Sequence, residues 1–374
     1  MIYITLRGAP EYIHPSESVP LWWCKVNAMK DSIAQTHAVS RIGGEKSPVL
    51  DTTPALDATM ARWIHPAVIL VATDLTDLDR LLPIAYEQAA ETGARLLLLH
   101  VLAVSATMAA DAAGMPYYDP AGALEFVAKG LETTCIHARQ CGIACEALVR
   151  EGNAAQQVGE VARQFKADRL ILGTRGRSKL GKLLLGSVAE KVLRSVNLPV
   201  ITVGPQAHSL ADSGTDQSVV LHATILRESA VAGVTLAGQI AASQGAKLVL
   251  VHVLPPAGGF LTENPEQDGQ PGGLDSVAAH QLRLLATETA AACGVQVEAH
   301  VVHGHPAIEI LAEAAERRAG LIVLGARHRS LFEELTRDRT ICRVLAHARC
   351  PVLTLRDPQP DSMGSEVDPV VVAG

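Results

Sequence analysis

The stretch GTRGRSKLGKLLLGSVAEKVLRSVNLPVITV, residues 173–203, decides the fold of this chain. It follows a short apolar run at residues 170–172, which predicts a buried strand. From Ala189 onward, apolar residues recur at the three- and four-residue spacing of one helical face, and a second strand follows Pro199. A strand, a glycine-rich turn, a helix and another strand in this order indicate an α/β fold with a parallel sheet.

The glycines of this stretch suit a turn that binds phosphate. They follow the pattern G-x-x-G-x9-G-S, whose fixed positions are Gly173, Gly176, Gly186 and Ser187. Glycine lets backbone N–H groups converge on an anion, and a helix that begins at Gly186 adds free N–H donors and a positive dipole end. The spacing alone also fits a glycine-rich turn with solvated basic side chains, which here are Arg175, Arg177, Lys179 and Lys182.

This pattern matches the ATP-binding signature of the universal stress protein family. The flanking segments EGNAAQQVGEVARQFKADRLILGTRGRS (151–178) and LLGSVAEKVL (184–193) also resemble that family. The resemblance covers residues 66–204 and extends, more weakly, over residues 218–356. It implies two tandem Rossmann-like domains of the adenine nucleotide alpha hydrolase type, each with an open five-stranded parallel sheet.

The resemblance also implies an ATP site, with or without Mg²⁺, in the first domain. In the family pattern, Ala72, Thr73 and Asp74 line the adenosine pocket, and Val101 lies against the base. The ribose and the phosphates would be held by Gly173, Arg175, Gly176, Gly186, Ser187 and Val188. We predict no catalytic residue and no metal-binding residue. On the residues alone, Asp74 fits a turn or a helix cap equally well, and Val101 fits the core better.

The chain contains a duplication. The segment CGIACEALVREGNAA (141–155) recurs as CGVQVEAHVVHGHPA (293–307), and ETGARLLLLHVL (91–102) recurs as SQGAKLVLVHVL (243–254). Both matches have an offset of 152 residues, which indicates a domain repeated in tandem. We predict a loosely ordered extension at 1–60, domains at 61–206 and 218–356, a linker at 207–217 and a disordered tail at 357–374.

The second copy departs from the phosphate-binding pattern. With one constant offset, Gly173 keeps a glycine at Gly325, whereas the other positions change to residues that a phosphate site does not favour. Gly176 becomes His328, Gly186 becomes Asp338, Ser187 becomes Arg339 and Asp74 becomes Leu226. An acid at the start of the helix would repel an anion. We therefore expect nucleotide binding by the first copy only.

Net charge, apolar runs and cysteine spacing exclude several classes of protein. The 374 residues carry a formal net charge of −7, which argues against general nucleic-acid binding. No apolar run reaches the roughly 18 residues of a membrane helix, and no signal-peptide pattern is present, so we expect a cytoplasmic protein without a membrane partner. The seven cysteines have no CxxC spacing, and we expect buried, reduced thiols.

Each copy ends in an apolar strand, at residues 199–203 and 351–355. As the last strand of an open sheet, each would expose unpaired N–H and C=O groups. The resemblance implies that these strands pair across a two-fold axis, so two copies in one chain would form an intramolecular pseudo-dimer. A further homodimer would then use another surface.

We interpret the chain as an ATP-binding regulatory module of the stress response. The alternatives are a slow ATPase or a nucleotidyl or phosphoryl transferase, and an interaction protein that needs no nucleotide. The enzyme alternative lacks a Walker-type lysine, paired magnesium-binding acids and a nucleophile–base signature. The sequence does not indicate the downstream protein partner.

Overall fold

The computed structural model describes residues 58–102, 120–174, 185–207, 218–226, 231–254, 273–326 and 340–356. In the first half, five strands alternate with helices. The elements in chain order are α1 (Ala58–Ile64), β1 (Val68–Thr73), α2 (Leu78–Thr92), β2 (Arg95–Leu102), α3 (Pro120–Gln140), β3 (Cys145–Glu151), α4 (Ala154–Gln164), β4 (Arg169–Gly173), α5 (Ser187–Ser195) and β5 (Val200–Val203).

The second half repeats this order of strands and helices. Its elements are β6 (Val219–Ala223), α6 (Val231–Ser243), β7 (Lys247–Leu254), α7 (Gly273–Cys293), β8 (Val297–His303), α8 (Pro306–Glu316), β9 (Leu321–Ala326), α9 (Thr340–His347) and β10 (Val352–Arg356). The repetition of five strands and their helices agrees with the tandem α/β fold expected from the sequence.

All ten strands belong to one sheet, in the order β3-β2-β1-β4-β5-β10-β9-β6-β7-β8. Within each half, every pairing between described strands is parallel. Continuous apolar runs such as residues 96–99 form the strands because helices cover both faces, and their side chains are at most 1% exposed. Two apolar clusters, one on each face of the sheet, run through both halves.

The halves join through β5 and β10, the only antiparallel pair among the described strands. Ile201 lies opposite Leu353, and Val200 and Thr202 lie opposite Thr354 and Val352. The side chains repeat this symmetry, because Thr202 Oγ1 donates to Val352 O and Thr354 Oγ1 donates to Val200 O. The predicted intramolecular pairing of the two terminal strands is therefore confirmed.

The assumption of one constant offset is wrong at the first strand. Arg95 and Lys247 are 152 residues apart and hold equivalent places, yet Arg95 lies opposite Val68 whereas Lys247 lies opposite Val219. The offset between β1 and β6 is therefore 151. The counterpart of Asp74 is Ile225 and not Leu226, because the connection between the first two strands is one residue longer in the second half.

Helix α1 is an element that the sequence analysis did not predict, and it crosses the boundary expected at residues 60 and 61. Its side chains Met60, Trp63 and Ile64 are buried, and it packs against α6 of the other half. Arg62 Nε donates to Asp168 Oδ1 at 2.6 Å, and Arg169 Nη2 donates to Trp63 O at 2.6 Å. The helix thus contacts both halves of the sheet.

Among the described residues, no helix combines the length and the hydropathy that a membrane crossing requires. The predicted extension up to residue 57, most of the linker and the tail from residue 357 lie outside the part of the chain that the structure describes.

Candidate nucleotide site

A cavity of about 320 Å³ lies at the carboxyl ends of β1, β2 and β4. These strand ends belong to one edge of the parallel sheet, the place where open α/β sheets bind ligands. The fourth wall is the N-terminus of α5. Eight of the ten residues predicted for the site line this cavity, namely Ala72, Thr73, Asp74, Val101, Gly173, Gly186, Ser187 and Val188. The other two, Arg175 and Gly176, lie outside the described residues.

Asp74 occupies a tight turn directly after β1. Its Oδ1 accepts two hydrogen bonds from Thr76, one from the backbone N–H at 2.9 Å and one from the hydroxyl at 2.6 Å. Leu75 follows with a φ of 75°, a left-handed conformation that a leucine rarely adopts. Its N–H donates to Thr73 Oγ1 at 2.9 Å. Such strain persists only where surrounding contacts enforce it, and it often marks a functional site.

Two polar atoms of cavity residues lack a partner among the described residues. They are Asp74 Oδ2 and Thr174 Oγ1, and both are buried. Leaving a buried polar group unpaired costs roughly 1–3 kcal/mol, and more for a charged group. The site therefore holds a carboxylate oxygen that needs a donor and a hydroxyl that needs either a donor or an acceptor.

Asp77 also lines this cavity and is 3% exposed, although it was not among the residues predicted for the site. Its Oδ1 accepts a hydrogen bond from Thr73 Oγ1 at 2.6 Å. Burial raises the pKa of this carboxyl group, and the hydrogen bond from Thr73 opposes the shift. Asp77 is also the N-cap residue of α2. The sequence does contain a signal for Asp77, because this acid follows Thr73, the last residue of β1, by four residues.

His100 is the second cavity residue that the sequence analysis left out of the site. Its Nδ1 lies 2.9 Å from the carbonyl oxygen of Thr73. A carbonyl only accepts, so Nδ1 carries the proton and Nε2 remains an acceptor in the neutral ring. His252 makes the same contact with Thr224 O at 2.9 Å in the second half. The contact recurs in both copies, which fits a role in holding the turn after the first strand.

The N-terminus of α5 lies at the cavity, which is lined by the first residues of this helix. The N-cap is Gly186, with extended φ and ψ of −63° and 143°, and no side chain caps the helix there. The N–H of Gly186 donates to Thr174 O at 2.7 Å, which ties the helix start to the end of β4. The backbone N–H groups of Ser187, Val188 and Ala189 are thus at the positive end of a nine-residue helix.

The second copy lacks both unpartnered polar groups. By the strand register, Ile225 stands in place of Asp74, and Ala326 stands in place of Thr174. The left-handed turn itself is retained, since Leu226 has a φ of 52° and its N–H lies 3.3 Å from Thr224 Oγ1. Ile225 is 50% exposed. The backbone geometry is shared by the two copies, whereas the polar groups occur only in the first.

A larger cleft of about 590 Å³ lies at the opposite edge of the sheet, between α1, α4 and the residues before β4 and β5. It is larger than the site above, but its chemistry is less suited to a ligand. Its one buried acid, Asp168, already accepts hydrogen bonds from Arg62, Ala67 N and Val68 N. Because the protein itself satisfies this carboxylate, the smaller cavity is the better candidate for a functional site.

The sequence model of the universal stress protein family matches the chain twice, over residues 67–204 and 220–356. A universal stress protein from Thermus aquaticus is 30% identical over 142 residues, which are 36% of this chain and 96% of the relative. One from Methanocaldococcus jannaschii is 38% identical over 66 residues, which are 18% of this chain and 39% of the relative.

Solved structures resemble the fold over most of the chain. A universal stress protein from Archaeoglobus fulgidus superposes with a TM-score of 0.58 at 20% identity, covering 79% of this chain and 98% of its own. A Pseudomonas aeruginosa protein assigned to the same family by inference superposes with a TM-score of 0.52 at 19% identity. The match covers 78% of this chain and 94% of that protein. At these identities the likeness establishes the fold.

Proposed function

Because the chain belongs to the universal stress protein family, we propose that its first domain, residues 61–206, binds an adenine nucleotide. The glycine pattern favours ATP, with or without Mg²⁺. In this proposal the bound nucleotide regulates a protein partner in the stress response, and the second domain, residues 218–356, has a structural or regulatory role without a nucleotide of its own.

The observation that carries the proposal is the pair of unpartnered polar groups beside one cavity. Asp74 Oδ2 and Thr174 Oγ1 are buried without a partner among the described residues, and both residues line the cavity. A carboxylate accepts hydrogen bonds, so it suits the hydroxyls of a ribose or the amino group of a base and disfavours a phosphate. The second copy has lost both groups, which supports a role for them in ligand binding.

The cavity is lined both by acids and by the start of a helix. Asp74 and Asp77 place acids beside the end of β1, whereas the start of α5 presents N–H donors and the hydroxyl of Ser187. A nucleoside with a phosphate chain has the matching order, with hydroxyl and amino donors at one end and negative oxygens at the other. The apolar side chains of Leu99, Val101 and Val158 also line the cavity and suit the face of a base.

The test is calorimetric titration of the full chain with ATP for the original protein and two variants. Asp74→Ala removes a hydrogen bond to a charged acceptor, which is worth about 1.5–3 kcal/mol, so we expect ATP affinity to fall about 10- to 100-fold. The matched control is Ile225→Ala, at the equivalent position of the second copy, which should leave affinity unchanged. Equal affinities in all three proteins would refute the assignment of this cavity.

Measurement of phosphate release in the same samples distinguishes a binding module from an enzyme. A regulatory module retains its nucleotide, whereas an ATPase or a phosphoryl transferase turns it over. Sustained phosphate release above about 1 s⁻¹ lies in the usual enzyme range and would replace the proposal by the enzyme alternative. An absence of binding to any adenine nucleotide would favour an interaction protein that needs no nucleotide.

A further inference from the structure

Two buried cysteines of the first domain are in direct contact. Cys135 lies on α3 and Cys145 is the first residue of β3, and their Sγ atoms are 2.8 Å apart. A disulfide bond holds the two Sγ atoms about 2.05 Å apart, so these atoms need to approach by only about 0.8 Å to reach bonding distance. From the sequence we expect buried, reduced thiols, and their spacing does not predict this contact.

Rigid elements hold this contact in place. The turn between α3 and β3 is fixed by the N–H of Ile143, which donates to Ala138 O at 3.0 Å, and by Gly142, which ends the helix with a φ of 78°. Arg139 Nη1 donates to Cys145 O at 3.0 Å and so ties the end of the helix to the start of the strand. The backbone that carries the two cysteines is therefore held in place on both sides of the turn.

The two thiols lie in apolar surroundings. Cys135 is 0% exposed and Cys145 is 7% exposed, and they belong to an apolar cluster with Tyr86, Leu131 and Cys141. The described residues contain no group of side chains arranged to bind a metal ion. The hydrogen bond shared with Cys145, followed by burial, raises the pKa of the Cys135 thiol. Because Cys145 starts the outermost strand of the sheet and is the more exposed of the two, an oxidant reaches it first.

We propose that Cys135 and Cys145 are a redox modification site, at which a hydroperoxide converts the two thiols into one disulfide. The sulfur of Cys145 attacks the peroxide oxygen, the O–O bond breaks, and Cys145 becomes a sulfenic acid while an alcohol leaves. The sulfur of Cys135 then attacks the sulfur of Cys145, an S–S bond forms, and the displaced hydroxide leaves as water with the proton of Cys135. Two thiols and one hydroperoxide thus give one disulfide, one alcohol and one water.

The modification would cross-link α3 to β3 within a loop of about ten residues. It lies at the amino end of β3, whereas the nucleotide cavity lies at the carboxyl ends of the neighbouring strands. Oxidation therefore acts on the scaffold of the first domain, and the proposal is independent of the nucleotide assignment. In the second half Val297 holds the strand position of Cys145, so that domain lacks the pair.

The experiment uses the full reduced chain, treated with hydrogen peroxide, alkylated and digested with trypsin without reduction. Cleavage after Lys129, Arg139 and Arg150 leaves Cys135 in peptide 130–139 and Cys145 in peptide 140–150, together with Cys141. We expect these two peptides to appear joined by a disulfide, and the joined fraction to revert on reduction. Cys141→Ser should retain the link, and Cys145→Ser should abolish it.

Two outcomes would overturn the proposal. One is the recovery of Cys135 and Cys145 as alkylated thiols under conditions in which the partly exposed Cys342 of the same chain is oxidised. The other is a link that survives Cys145→Ser and is lost in Cys141→Ser. A parallel oxidation in urea serves as the control, because an unfolded chain should yield mixed pairings among the three cysteines, whereas the native chain should yield one.

Discussion

His222 is the least expected of the buried side chains in the second half. It occupies the register position that Val71 holds in the first copy, since Val71 lies opposite Leu98 and His222 lies opposite Leu250. The ring is 1% exposed, and its Nδ1 lies 3.0 Å from Val323 O. Its Nε2 has no partner among the described residues. A Cβ on Gly233 would lie 2.9 Å from the ring, so glycine is needed there.

This histidine should make stability depend on pH. Burial lowers the pKa of His222 from its ordinary value of 6.5 to about 4. Between these two values the unfolded chain binds a proton that the folded chain does not, so the free energy of unfolding falls as pH drops below 6.5. At 1.36 kcal/mol per pKa unit, the free energy of unfolding at pH 5 is lower by about 2 kcal/mol because of His222.

Urea unfolding at pH 7 and pH 5 measures this loss. We expect His222→Val, which installs the residue of the first copy, to lose about 2 kcal/mol less than the original protein over this range. The carboxylates titrate in both proteins, so the difference between the two isolates the histidine. Equal losses would show that the buried ring does not titrate as its burial implies.

At the scale of single residues, the sequence predicts the site through its motif and misses what tertiary contacts create. The eight described motif residues converge on one cavity, as the resemblance implied, although their binding role stays a prediction. The position of Asp77 one turn after β1 is visible in the sequence, whereas Thr174 joins that cavity because of where the end of β4 and the start of α5 meet, which no local pattern encodes. The contact of Cys135 with Cys145 was missed for the same reason, since it depends on how the helix returns to the sheet.

At the scale of elements, helices and strands follow their hydrophobic patterns closely. The helix expected after Gly186 runs over Ser187–Ser195, and Gly93 ends α2 with a φ of 71°. The hydroxyl of Thr76 donates to Asp74, and α2 begins at Leu78, after its N-cap residue Asp77. The register of β6 was misjudged by one residue, because a continuous apolar run contains no marker of which residue faces which neighbour.

The pairing of β5 with β10 predicts the behaviour of an isolated first domain. Residues 61–206 alone would leave the β5 edge without its partner, so we expect the fragment to form a dimer through β5 at micromolar concentrations in ultracentrifugation. Leu170 N donates to Pro199 O at 3.0 Å, which by strand alternation directs the amide of Thr202 toward β10. Thr202→Pro should therefore weaken the dimer, whereas Thr202→Val retains the amide and should preserve it. A strictly monomeric original fragment would contradict this expectation.

At the scale of the whole molecule, the two halves of one chain pair through β5 and β10, although the halves differ in their residues. The sheet is continuous across β5 and β10, and α1 adds a contact between the first domain and α6. Gln244 of the second half donates to Glu91 of the first at 3.1 Å, which adds a polar contact across the boundary. The two halves share the scaffold, but only the first has the carboxylate and the hydroxyl of the proposed site.

The number of nucleotides bound per chain tests this asymmetry most directly. Titration of the full-length protein with ATP, followed by calorimetry and by mass spectrometry of the intact complex, should give one ATP per chain for the original protein and for Ile225→Ala. Asp74→Ala should bind with about 10- to 100-fold lower affinity. Two equivalent sites per chain, or one site that is unaffected by Asp74→Ala, would contradict the assignment of nucleotide binding to the first domain.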